Sequence, residues 1–560
     1  MLGQRITVIL AAYLWLVVPT GPGTAQPISS HEANIARLEA LSGLRLDEQG
    51  HAEEHNASTK LRKQLNETRR KILNDGPSTY VGGKPAFTVG YNKALEVKAR
   101  FLTGTRVPLG DESKFAKRQE QSENLKQRDI RYNNMLRSRG LIAEPSGQLE
   151  SAAPACSPSA SAFNWRDVGK VSPVRQQGVC GSCWAFATAA ALESSYLIRN
   201  NQTIKVSEQH LVSCSRSGSC DGGWAPNALE KMLGTGVADG TAYPYTGTSS
   251  VCELRKATPY HWSNWGLVAK SQNVRPSPAE MKQALCEHGP LITTVFADEK
   301  FQSYRDGVLN RVLSPALGVN HAVSIVGWDD SKNAWLIKNS WGQTDWGRLG
   351  GFGWVDYQSF NIGYSTAWVQ AHKEVELKDK CRTFDADRSR VRKAVLHQDA
   401  PPSWVFGPNE TPSWVVADGQ NPIRSFGDVA PAGARDDPNE NDARLALTLM
   451  RNYKINQDCN TAISKTDAPF QYWLVGGKPP AAAYRNEDCV AIDWQRLDVS
   501  QLGTDWVLSD GTSQLEVFDG QRFNRSEDAA WLAFAYLKKH RMTQMCYFSR
   551  RDTSLRYYRQ

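Results

Sequence analysis

A chain of 560 residues exceeds what one hydrophobic core organises, so several folded units are expected. With 40% hydrophobic and 22% charged residues, the composition excludes collagen, a wholly disordered chain and a multi-span membrane protein. The net charge of +8 does not point to nucleic acid: residues 1–154 hold 22 Lys/Arg against 16 Asp/Glu, which accounts for +6, and the remaining +2 forms no basic face.

The chain opens on a positive charge, Arg5, and an apolar run at residues 6–18, followed by small and helix-breaking residues up to Ala25. This three-part layout predicts an export signal over residues 1–25. Thirteen residues at 1.5 Å rise reach only about 20 Å, too short for a membrane anchor. The expectation is a protein exported to a secreted, periplasmic or lumenal compartment, with no stable membrane span after signal removal, where disulfides persist.

Residues 26–155 are polar, and the tracts 60–74 and 122–139 read as solvated helices. A linker rich in Ser, Ala and Pro runs from residue 144 to 161, and residues 162–370 are denser in Gly, Trp and Tyr. Beyond residue 370 the chain repeats itself. Cys381-Arg-Thr-Phe-Asp385 matches Cys489-Val-Ala-Ile-Asp493, and Trp414-Val-Val-Ala-Asp-Gly419 matches Trp506-Val-Leu-Ser-Asp-Gly511. Each copy, residues 371–475 and 476–560, reads as strand, strand, amphipathic helix, strand. A cysteine at each end suggests one staple per copy, Cys381–Cys459 and Cys489–Cys546.

Chemistry concentrates in Gln177-Gly-Val-Cys-Gly-Ser-Cys-Trp-Ala-Phe186. Cys183 precedes an Ala-rich helical pattern, so it stands at a helix N-terminus, where unsatisfied amides favour a thiolate. Asn320-His-Ala-Val-Ser-Ile-Val-Gly-Trp328 places His321 at the head of a strand, and Ala334-Trp-Leu-Ile-Lys-Asn-Ser-Trp-Gly342 places Asn339 at the end of the next. A nucleophile, a base and an orienting group are the parts of covalent catalysis. Alone, each has a plain structural reading: a disulfide cysteine, a core-edge histidine, a turn asparagine. Cys180 and Cys183 could also form a redox or zinc pair, but no second close pair accompanies them. The odd total of 11 cysteines requires one thiol outside intramolecular pairing.

Residues 162–370 resemble the papain/cathepsin family of cysteine peptidases. The resemblance rests on the Cys180-Gly-Ser-Cys-Trp184 box with its distant His and Asn. It continues through Asn164-Trp-Arg-Asp167, Ser207-Glu-Gln209, Cys220-Asp-Gly-Gly223, Tyr243-Pro-Tyr245 and Phe301-Gln-Ser-Tyr304. It implies an α+β fold, papain-like and two-lobed, with a helical lobe and a β-rich lobe around a cleft. A helical N-terminal pro-segment would occupy residues 26–155, and two small disulfide-stapled α+β repeats would close the chain.

Carried onto matching positions, Cys183 attacks the scissile carbonyl, His321 transfers protons, Asn339 orients the imidazole, and Trp341 shields that bond. Gln177 holds the oxyanion together with a backbone N–H. Gly222 and Gly223 resemble the edge that pairs with an extended substrate, and Trp224, Ala225 and Asn320 neighbour the substrate pocket. The same resemblance pairs Cys180 with Cys220 and Cys214 with Cys252, and leaves Cys156–Cys286 as a possible further bridge. Phe87-Thr-Val-Gly-Tyr-Asn-Lys-Ala94 and Lys98-Ala-Arg-Phe-Leu-Thr-Gly104 resemble the family's propeptide, and Asn66, Ile72 and Asn74 are a remnant of its helix pattern.

The function this implies is an exported cysteine endopeptidase made as a zymogen. It would act on peptide or protein substrates, hold its own propeptide in the cleft, and need no metal or cofactor. The alternative is a catalytically silent binding or adhesion protein acting through its C-terminal tandem.

Overall fold

The computed structural model describes residues 29–75, 80–81, 84–108, 112–142, 156–253, 258–373, 375, 377–394, 413–419, 421–428, 437–461, 468, 470–475, 488–549 and 552–559. The expected export signal lies outside them, as does most of the 144–161 linker. Among the described residues, no helix is long and apolar enough to cross a membrane.

Three capped helices begin the described chain: Ser30–Ser42, Glu48–Asn56 and Thr59–Asn74. Ser29, Asp47 and Ser58 accept from backbone N–H groups of the first turns, which would otherwise lack partners. The tract 60–74, read from sequence as solvated, buries Leu65, Thr68, Arg69 and Ile72 at helical spacing. The buried Arg69 guanidinium bonds Glu54 at 2.5 and 2.8 Å and the Val89 carbonyl at 2.9 Å. Downstream, Phe87–Val89 adds an antiparallel strand to the edge of the main sheet, opposite Tyr304–Leu309.

The tract 122–139 likewise departs from its sequence reading. It belongs to a 27-residue helix, Glu112–Ser138, whose Arg118, Ser122, Leu125, Arg128, Tyr132, Met135 and Leu136 are buried along one face. Solvation is correct only for the opposite face.

The catalytic-type region is an α+β fold of two lobes. In the helical lobe, Cys183–Asn200 is buried through its first fourteen residues, Cys183 to Tyr196. Its alanines 185, 187, 189 and 191 let it approach Ala322, Ala367 and Val369 closely in one core. The other lobe is a nine-stranded sheet, and its central strand His321–Asp329 pairs antiparallel with both Ala334–Lys338 and Leu291–Val295. Five disulfides are present: Cys156–Cys286, Cys180–Cys220, Cys214–Cys252, Cys381–Cys459 and Cys489–Cys546. Cys183 is the free cysteine.

The C-terminal tandem is visible as architecture. Each copy holds a three-stranded meander, then a helix, and a second three-stranded sheet that joins the copy's first strand to its last two. The helices are Pro438–Asn452 and Ser526–Lys539. The sequence reading of two strands before the helix was too few, because the meander strands Arg390–Ala394 and Asp498–Leu502 carry too many polar residues to stand out. In both copies the bridge joins directly paired residues of two strands, Cys381 with Cys459 and Cys489 with Cys546.

Candidate active site

Cys183 is the first residue of its helix, and Ser182 before it is non-helical with no side-chain cap. The Cys180–Cys220 bridge pins the preceding loop. The Cys183 Sγ lies 3.6 Å from the Thr105 hydroxyl. It also faces the backbone N–H groups of Ala322, Gly104 and Trp184. Ala322 follows His321, so the strand head delivers the imidazole beside the thiol. His321 Nε2 lies 2.8 Å from Asn339 Oδ1, which commits that nitrogen and leaves Nδ1 as the other ring nitrogen able to take up a proton. The Trp341 ring sits 4.7 Å from the imidazole and, being buried, keeps water from the His321–Asn339 bond.

Gln177 is oriented from behind. Its Oε1 accepts from the Ser340 hydroxyl at 2.6 Å, which turns the amide NH₂ toward the cleft. There Nε2 donates to the Cys180 carbonyl at 2.9 Å and the Leu102 carbonyl at 3.2 Å. Trp341 Nε1 donates to the same Leu102 carbonyl at 3.3 Å. A carbonyl of the N-terminal region thus occupies the donor expected to hold an oxyanion.

The segment continues across both walls of the cleft. Thr105 N–H donates to the Asn320 carbonyl at 2.9 Å, Gly223 N–H to the Gly104 carbonyl at 2.8 Å, and Arg106 N–H to the Gly223 carbonyl at 2.9 Å. Thr105 and Gly223 pair in the parallel sense. Gly222 has φ +122°, and a Cβ there would meet the Gly104 carbonyl oxygen at 2.6 Å, so glycine is required twice over.

Two positions singled out beside the pocket behave differently. The Asn320 side chain turns away, bonding the backbone of Ala297 at 2.7 and 3.0 Å, so only its carbonyl serves the cleft. Trp224 and Ala225 are buried in the helical lobe's core. Sequence reasoning passed over Thr105 and Ser340. Thr105 follows a Leu-Thr-Gly tract already matched to the propeptide, and Ser340 lies next to Asn339.

The covered site is electrostatically quiet. Burial pushes the Cys183 thiol up, against the pull of Thr105 and the surrounding N–H groups. Burial likewise pushes His321 down to about 4, although Asn339 and the Leu102 carbonyl favour its charged form. The thiolate expected at the helix N-terminus is therefore not favoured here, because residues 101–106 exclude the water that both ions need. Among the described residues, no group of three or more His, Cys, Asp or Glu is placed to hold a metal.

Gly104 is the tightest point of the cover. A Cβ there would lie 1.9 Å from the Gly181 carbonyl oxygen, beside the nucleophile. Gly104→Val is expected to lift residues 101–106 from the cleft and to raise the rate of Cys183 alkylation by iodoacetamide in the full chain about 10–100-fold. An unchanged rate shows that this segment is not what shields the thiol.

Known proteins resemble this region of the chain. A family model described as papain family cysteine protease matches residues 159–369. Over 246 residues the chain is 33% identical to a cathepsin L of Sarcophaga peregrina, covering 42% of this chain and 70% of that protein. The chain belongs to the papain family. It is also 39% identical over 186 residues to the gamete and mating-type specific protein A of Dictyostelium discoideum, covering 32% of this chain and 39% of that protein. To a viral cathepsin of Heliothis zea nuclear polyhedrosis virus it is 38% identical over 194 residues, covering 34% and 50%. The chain thus matches at most half the length of these last two relatives.

Proposed function

We propose that this protein is an exported papain-like cysteine endopeptidase made as a zymogen. In this reading residues 1–25 are the signal, 26–155 the pro-segment and linker, 156–370 the peptidase, and 371–475 and 476–560 two appended repeats. The observation that carries it is the convergence of Cys183, His321, Asn339 and Gln177 in one cleft, with residues 101–106 lying across them.

Once that segment leaves, water re-enters and the Cys183 proton passes to His321 Nδ1. The helix N-terminus stabilises the thiolate and Asn339 the imidazolium. An extended substrate pairs with Gly223, and the thiolate attacks its carbonyl carbon. The developing oxyanion takes the place that the Leu102 carbonyl now holds at Gln177 Nε2. His321 protonates the departing amine, which leaves a thioester. It then takes a proton from water, whose hydroxide releases the acid and frees Cys183.

The test is alkylation with turnover. After removal of residues 26–155, iodoacetamide is expected to label Cys183 stoichiometrically and to abolish cleavage of a fluorogenic peptide library in step. A fully labelled thiol in a protein that cleaves nothing in the library overturns the peptidase reading.

A further inference from the structure

We propose that the second C-terminal repeat is the docking surface for helix Glu112–Ser138, so that the tail retains the pro-segment after the linker is cut. This rests on the zymogen reading, in which that helix belongs to the pro-segment.

The buried stripe of the helix divides between two bodies. Its N-terminal half lies on the peptidase: Arg118 donates to the Trp265 carbonyl at 2.7 Å, and Asn264 Nδ2 donates to the Ser122 carbonyl at 2.7 Å. Its C-terminal half lies on the second repeat, where Tyr132, Met135 and Leu136 join a core with Trp531, Phe534 and Leu497. The Tyr132 ring centroid stands 5.4 Å from that of Phe534 and 6.0 Å from that of Trp531.

Between the halves, buried Arg128 donates to carbonyls of both bodies. The acceptor is Ser263 at 3.4 Å on one side, and Trp494 at 3.3 Å and Leu497 at 3.0 Å on the other. Two ion pairs flank the apolar contact, Arg131–Asp498 at 2.6 Å and Arg139–Asp528 at 3.0 Å. Arg131 stands on the helix and Arg139 just past its end, while both acidic groups stand on the repeat.

The tandem supplies an internal comparison. Alignment of the two copies places Ala386 opposite Trp494, Arg390 opposite Asp498, Asn441 opposite Asp528 and Arg444 opposite Trp531. The first repeat therefore lacks both the aromatic face and the acidic pair, and its Arg444 is largely exposed and bonded to Glu440. The docking residues belong to the copy that meets the helix, not to the repeat fold in general.

A pro-segment held at the cleft and at the tail is bivalent. Opening at one site leaves the other engaged, and the high local concentration favours re-closure.

The experiment uses the full chain with a site-specific protease sequence placed within residues 146–153. After the cut at neutral pH, the N-terminal fragment is expected to co-elute with the remainder on size exclusion. Tyr132→Ala with Met135→Ala, on the helix alone, should raise its dissociation rate at least tenfold. So should Trp531→Arg, which gives the second repeat the residue that the first already tolerates. Arg131→Asp should accelerate release a few-fold, and adding Asp498→Arg should restore it. Dissociation rates equal to the parent in both the helix and the repeat variants overturn the docking proposal. Elution is read without reference to turnover, so released protein that cleaves nothing counts against the peptidase reading alone.

Discussion

His321→Ala, in protein freed of residues 26–155, is expected to lower kcat/KM by at least about 10⁴. In the proposed mechanism the imidazole does three things: it accepts the Cys183 proton, protonates the leaving amine and activates water. No other side chain described at the cleft offers a titratable nitrogen there. Asn339 bears on the same step differently. Its Oδ1, 2.8 Å from Nε2, occupies that nitrogen, so the proposed mechanism assigns the proton exchange to Nδ1. Asn339→Ala should therefore retain part of the activity, because a misoriented imidazole still samples the productive position. Single-turnover kinetics with a peptide ester separates acylation from deacylation, and both should fall for His321→Ala. Activity within tenfold of the parent would remove His321 from the mechanism.

The second large effect lies far from the thiol. Glu54→Gln is expected to destabilise the N-terminal helices by about 3–5 kcal/mol, since it leaves Arg69 buried beside a neutral amide. The carboxylate is bound by Arg69 through two hydrogen bonds and stands 2.9 Å from His31 Nε2. His31 Nδ1 is in turn 2.8 Å from Asn66 Oδ1. This network ties the first three helices together and, through the Val89 carbonyl, reaches the strand that joins the main sheet. In the full chain, Glu54→Gln should raise the rate of Cys183 alkylation at least tenfold, and an unchanged rate defeats the argument.

Acid should act in the same direction. Burial pushes the Glu54 carboxyl up, but the hydrogen bonds and charges of His31 and Arg69 reverse this and hold it at about 2. A depressed carboxylate contributes its stability above the ordinary 4.5 and loses it as the pH falls toward 2. His321 is held neutral under the cover, at about 4 instead of 6.5, so protonation favours the uncovered state as the pH falls through that window. Cys183 alkylation in the uncut chain, corrected for thiolate fraction with a free-thiol standard, should therefore accelerate from pH 6.5 downward and again below 4.5. A corrected rate independent of pH from 7 to 3 contradicts both assignments.

Much of the candidate site was legible without coordinates, because the residues that compose it sit in short strings that are local in the chain. Cys183 before an unbroken helical run, His321 opening an alternating strand and Asn339 ending the next one are each set by a few neighbours. The repeats were legible for the same reason, since two copies of one pattern disclose themselves by their spacing. The helix Glu112–Ser138 was not. Its buried face is built from Arg118, Ser122, Arg128 and Tyr132, which read as solvent-facing because burying them is unfavourable unless something accepts their hydrogens. For the two arginines the acceptors are carbonyls of Ser263, Trp265, Trp494 and Leu497, far along the chain. Their positions are set only when the peptidase sheet and the second repeat have folded beside one another. The state of the thiol was decided the same way. Sequence placed Cys183 where a helix favours its anion, but burial under the segment from Leu102 to Arg106 pushes the thiol up, a desolvation that exists only in the assembled structure.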